Sequence, residues 1–126
     1  MKSCVVTASF GCSPNKIWLY LTNPTLNHWN PNIADADVDL DEMKMSIKKT
    51  NGSVINVTFN ELEKARKMSC NFSCGRIKGT FTAILFGSGD TSSVECTMDV
   101  SGMGLFAKPG KQLNEFFATL RKAIGE

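Results

Sequence analysis

Apolar residues recur at every second position over most of this chain, and the interruptions of that rhythm mark out its elements. From Lys2 to Phe10 the even positions Cys4, Val6, Ala8 and Phe10 form one face, with Thr7 and Ser9 on the other. That period predicts a half-buried strand. The period then changes. Ser13-Pro14 offers a hydroxyl N-cap, followed by a proline whose missing N–H is harmless in a first helical turn. Ile17, Trp18, Tyr20 and Leu21 continue as a short amphipathic helix, which Asn23-Pro24 ends. A second helical turn through Leu26, His28 and Trp29 stops at Asn30-Pro31.

Alternation returns over residues 34–49. Ala36, Val38 and Leu40 oppose Asp35, Asp37, Asp39 and Asp41; then Met43, Met45 and Ile47 oppose Lys44 and Lys48. Asn51-Gly52 is a strong hairpin signal, and Ile55, Val57 and Phe59 continue beyond it. Met68, Cys70, Phe72 and Cys74 follow at period two, then the run 79–86, then Val94, Cys96, Met98 and Val100. Six strands after the helices, joined mostly by short turns, predict an antiparallel meander. The last segment switches to helical spacing. Pro109 and Gly110 mark its start, and Leu113, Phe116, Phe117, Leu120 and Ile124 make one apolar stripe. Arg121 and Lys122 suit the negative end of its dipole.

Length and charge narrow the class. A chain of 126 residues predicts one domain spanning 1–126. Lysines and arginines number 14 against 12 acidic residues, a net charge of +2. They are scattered from Lys2 to Lys122, so electrostatic capture of nucleic acid or of an anionic membrane is not indicated. No apolar run reaches the ~18 residues of a membrane span. The N-terminus does not read as a signal peptide, which leads to the expectation of a cytoplasmic protein. Five cysteines, an odd number, then read as free thiols.

The element order, the block SFGCSPNKIWLYLTNPTLNHWNP at 9–31, the GTFTAIL strand, the GDTSSVECTMDVSG turn and strand, and the final amphipathic helix together resemble the START-like helix-grip (SRPBCC) superfamily. Within it, the chain is most similar to small bacterial polyketide cyclase/dehydrase-like proteins. The resemblance covers nearly the whole chain. It implies an α+β helix-grip fold: a curved antiparallel seven-stranded sheet around a long C-terminal helix, with two short helices after the first strand. It also implies a cavity between sheet and helix for lipid-, polyketide- or sterol-like molecules. The brief connection 101–108 is shorter than in members with large cavities.

The residues themselves supply the candidate lining. Met45, Ile47, Val57, Phe59, Met68, Cys70, Phe72, Cys96, Met98, Leu113, Phe116, Phe117 and Leu120 are expected to face inward together, and the resemblance puts Trp29 beside the cavity mouth. A solid core would use the same residues. Methionines suit an adaptable interior.

Other constellations carry little chemistry. Cys70 and Cys74 on one strand face lie about 13 Å apart, too far to share a tetrahedral ion. The aspartates at 35, 37, 39 and 41 lack the glycine and glutamate of a calcium loop, having Leu40 and Ser46 there; they read as a solvated strand face. His28, the only histidine, has no nameable catalytic partner and reads as a surface or helix-end residue. Glu61 shares parity with Val57 and Phe59, so an inward carboxyl of raised pKa is one reading. A strand end or bulge near Asn60 is the other. The expectation is a binding module for a small hydrophobic molecule, with no catalytic residue, metal or cofactor. A cyclase/dehydratase-type enzyme and a protein-interaction module with a filled core are the alternatives.

Overall fold

The computed structural model describes residues 1–104 and 107–126; Leu105 and Phe106, within the connection 101–108, lie outside the described residues. The alternating segments become strands β1 (Lys2–Phe10), β2 (Ile33–Asp39), β3 (Lys44–Lys49), β4 (Val54–Glu63), β5 (Lys67–Cys74), β6 (Ile77–Ser88) and β7 (Thr91–Ser101). They form one curved antiparallel sheet in the order β1-β7-β6-β5-β4-β3-β2. The segment from β2 to β7 is thus the expected meander, and β1 joins it beside β7.

Two helices complete the fold. In α1 (Pro14–Thr22) the Lys16 N–H donates to Ser13 Oγ at 3.2 Å, so one orphan donor of the first turn is satisfied. This helix buries Ile17, Trp18, Tyr20 and Leu21 and lies against β6 and β7. The second helical turn is a single 3₁₀ turn over Leu26–His28 with Asn27 and His28 at φ +51. His28 is exposed there.

The long helix α2 (Pro109–Ala123) lies along β1, with attachments from end to end. Lys2 Nζ donates to the carbonyls of Gly104 and Ala107. Gly110 sits against Cys4, where an added Cβ would be 3.6 Å from that of Cys4. Phe117 packs on Phe10, ring centroids 6.2 Å apart. Arg121 donates to Ser9 O at 2.8 Å and lies 5.2 Å over the Phe10 ring. Gly11 N–H donates to Glu126 Oε1 at 2.7 Å. The lengths match: Cys4 to Gly11 spans about 23 Å at strand rise, and residues 110–126 about 24 Å at helix rise.

The packed core therefore sits at the β1 side of the sheet. Ile17, Val94, Cys96, Phe117, Leu120 and Val100 have essentially no exposed surface.

Two local features depart from simple alternation. Leu40 and Met43 are not strand residues. They fall in the turn between β2 and β3, where Asp39 Oδ1 accepts from Glu42 N–H at 3.1 Å and Met43 takes φ +56. An aspartate bonding ahead of itself competes with strand pairing and closes the turn. The register of β4 on β5 also shifts between Phe59 and Glu61, leaving Asn60 as a bulge.

Gly79 pairs with Phe72 on β5 and Val100 on β7. A Cβ there would lie 2.7 Å from the Phe72 ring and against the Asp99 carbonyl. Replacing Gly79 by alanine is expected to cost about 2 kcal/mol in urea unfolding, since backbone must move to accept the methyl group. A loss below about 0.5 kcal/mol, the range of an ordinary surface change, would contradict this close approach.

Candidate functional site

Register places an apolar surface on the concave face that α2 covers only in part. Met45 pairs with Val57, and Val57 with Phe72. The neighbouring row runs Phe59, Cys70, Phe81, Met98 across β4, β5, β6 and β7. Ile47 pairs with Ile55 alongside. Because side chains alternate along each strand, partners in register share one face.

Above this surface lies a cavity of about 230 Å³. Its floor is Met45, Ile47, Ile55, Val57, Phe59, Met68, Cys70, Phe72, Phe81 and Met98; its roof is Tyr20, Leu21, Pro24, Trp29, Ile33, Leu113 and Phe116. Among the described residues, β1 contributes nothing to the lining, because α2 already covers it.

The lining presents almost no polar atoms. Trp29 satisfies its one donor elsewhere, Nε1 donating to Asn23 O at 3.1 Å. Its ring stands edge-on to Tyr20 at 5.9 Å and to Phe116 at 5.6 Å. Phe116 in turn meets Phe117 at 5.5 Å. This train of rings ties α1, the 3₁₀ turn and α2 into one roof, each T-shaped pair adding about 0.5–1.5 kcal/mol beyond burial. Trp29 is thus both a core anchor and a wall of the cavity.

Burial pushes the Cys70 thiol up to about 11, against a weaker opposing hydrogen bond from the Phe81 backbone. Burial likewise pushes Cys96 up to about 12. The thiolate, the reactive form, is therefore disfavoured at both.

Most residues expected to line a cavity come together: Trp29, Met45, Ile47, Val57, Phe59, Met68, Cys70, Phe72, Met98, Leu113 and Phe116. Cys96, Phe117 and Leu120 do not line it, and are corrected here to packed core. The helix stripe divides by rotation: Leu113 and Phe116 face the cavity, while Phe117 turns to Phe10 on β1. Cys96 pairs with Val6 on β1, so it lies at the covered end of the sheet.

The inward reading of Glu61 is overturned. The Asn60 bulge reverses the parity, so that Leu62, not Glu61, packs on the core. Glu61 Oε1 sits 3.0 Å from Lys67 Nζ with both side chains partly exposed. Tyr20, Leu21, Pro24, Ile33, Ile55 and Phe81 line the cavity in addition to the residues expected to. Ile55 and Phe81 carried the signal, sharing strand parity with lining neighbours. The other four depend on how α1 and its following loop dock.

No protein-family model matches the chain, and no curated protein matches it in sequence. Solved structures do match in shape. The protein MLL2253 from Mesorhizobium loti matches with TM-score 0.79 at 16% identity, over 98% of this chain and 96% of that one. A START superfamily protein from Mycobacterium smegmatis matches at 0.74 and 15%, over 97% and 93%. CalU16 from Micromonospora echinospora matches at 0.72 and 14%, over 98% and 76%. Likeness at such identity speaks of fold alone: the chain has a helix-grip fold, the architecture it shares with these structures.

Two measurements check this site. Phe117→Ala should lower stability by about 3–5 kcal/mol, the usual cost for a buried ring. Phe116→Ala, beside space already empty, should cost about half as much; the reverse order in urea unfolding would contradict the division of the helix stripe. The raised thiols also set a pH dependence. Their folded values exceed the ordinary 9.0, so the unfolded chain loses these protons first. The stability they contribute is full below about pH 9 and is lost as pH rises through about 11 to about 12. Urea unfolding should show that decline beginning near pH 9, and Cys70→Ser/Cys96→Ser should flatten it; an equally steep decline in the double variant would contradict the assignment.

Proposed function

We propose that the protein binds a small apolar molecule in the cavity between sheet and α2. The observation that carries this reading is the cavity itself: about 230 Å³ of space walled almost wholly by carbon and sulfur. An apolar cavity of about 150 Å³ stays dry and accepts benzene. The space here suits one or two rings, or a short branched chain. A whole sterol or a long acyl chain would extend beyond it. That one of the matching structures is a START superfamily protein is in keeping with such a role.

Burying a ligand of this size against apolar walls supports a Kd of about 10–100 μM. Three methionines, Met45, Met68 and Met98, lie in the floor. Their thioethers let the walls adjust to ligands of different outline.

No observation favours a cyclase or dehydratase. The ionisable groups among the described lining residues are Tyr20 and Cys70. Burial keeps Cys70 protonated at neutral pH, so it is not a base there.

The test is a titration with naphthalene followed by the methyl NMR signals of the methionines. Met45, Met68 and Met98 should shift together while exposed Met1 does not. Val57→Phe, which fills the floor, should weaken binding about tenfold with the fold retained, the effect of losing a contact worth about 1.4 kcal/mol. Shifts confined to Met1 and other surface groups, or an unchanged affinity in Val57→Phe, would count against the reading.

A further inference from the structure

The apolar cavity continues outward. Ile33, Ile47, Ile55 and Phe116 wall both it and a second hollow, which lies between α2 and the paired ends of β2 and β3. The outer part of this hollow is polar. Asn30 and Asn32 stand on one side, Lys49 at the end of β3, and Gln112 and Glu115 on α2 opposite.

The rim on the sheet side is held in shape from within. Thr50 N–H donates to Asn32 O at 3.0 Å, and Asn32 N–H donates to Asn30 Oδ1 at 3.0 Å. Asn30 is itself only 7% exposed, so part of this rim is built into the protein rather than laid on its surface.

The charges at the rim are one of each sign, Lys49 and Glu115, with neutral amides between. An end group of either sign meets one like and one opposite charge, Glu115 and Lys49, so the rim selects for neither, and a charge drawn against the apolar walls loses part of its hydration. A neutral group that both donates and accepts suffers neither penalty and finds amide partners.

We infer that the ligand is an uncharged amphiphile: an apolar body of one or two rings fills the cavity, and a hydroxyl- or carbonyl-bearing end stays at this rim. The inference rests on the cavity being the binding site. It adds the polarity, charge and orientation of the occupant. The ligand lies with its polar end toward Gln112 and its apolar end toward Met68.

The test compares naphthalene, naphthol and naphthoate by isothermal titration of the full chain at neutral pH. Naphthol should bind about fivefold more tightly than naphthalene, the net gain of one hydrogen bond. Naphthoate should bind at least about tenfold more weakly than naphthol, because its charge loses part of its hydration beside the apolar walls and meets no net opposite charge at the rim. The double variant Asn32→Ala/Gln112→Leu should remove the advantage of naphthol and leave naphthalene affinity unchanged. Naphthoate binding as tightly as naphthol, or naphthol showing no advantage over naphthalene in the unmodified protein, would overturn the amphiphile. Failure of naphthalene itself to bind would instead overturn the cavity as a binding site.

Discussion

The docking of the C-terminal helix along the first strand is the constraint on which the rest of the structure depends. A helix of 15 residues is too narrow, at roughly 10–12 Å across, to cover seven strands spaced about 4.8 Å apart. It must choose a place. Contacts from Lys2 at one end to Gly11 at the other set it over β1, at the edge of the sheet order. Strands β3, β4 and β5 then present apolar side chains as a floor, over which α2 places Leu113 and Phe116. The aromatic train from Tyr20 through Trp29 to Phe116 closes the roof without filling the space below.

The void persists because its walls are short of bulk and cannot collapse. Val57 and Cys70 are small residues of the floor, and Gly79, paired with Phe72 at its edge, accepts that ring rather than adding volume. The sheet cannot close over them without breaking cross-strand pairs, and interiors pack too rigidly to shift by whole side chains. The same geometry keeps polar chemistry out. The Asn60 bulge turns Glu61 away and puts Leu62 in its place, so one extra residue in one strand decides whether the cavity holds a carboxylate. The hydrogen-bonding capacity lies at the mouth, where α2 passes the turn after β3.

The architecture was largely legible because its periods are long and clean. Seven alternating runs and one helical stripe leave little choice of element, and Ser13-Pro14 and Asn51-Gly52 announce a helix start and a hairpin by local chemistry. The candidate site was legible only in part. Parity identifies which strand residues face inward, as for Met45, Val57 and Phe72, but not how far along the sheet the helix covers them. Cys96 and Met98 have the same parity on one strand, yet the first is core and the second borders the cavity. Phe116 and Phe117 are adjacent in one stripe, and only the rotation of α2 on β1 separates them. Tyr20 and Leu21 become walls through docking of α1, a tertiary fact that no local pattern carries.

Everything proposed about function requires the space over β3, β4 and β5 to be free of side chains and dry. Crystals pressurised with xenon test this directly, since xenon enters apolar cavities and shuns hydrated ones. The account predicts xenon density between Val57, Met68, Cys70 and Phe116, with no ordered water there at ambient pressure. Side chains occupying that volume, or a chain of ordered waters within it, would contradict the account at its root.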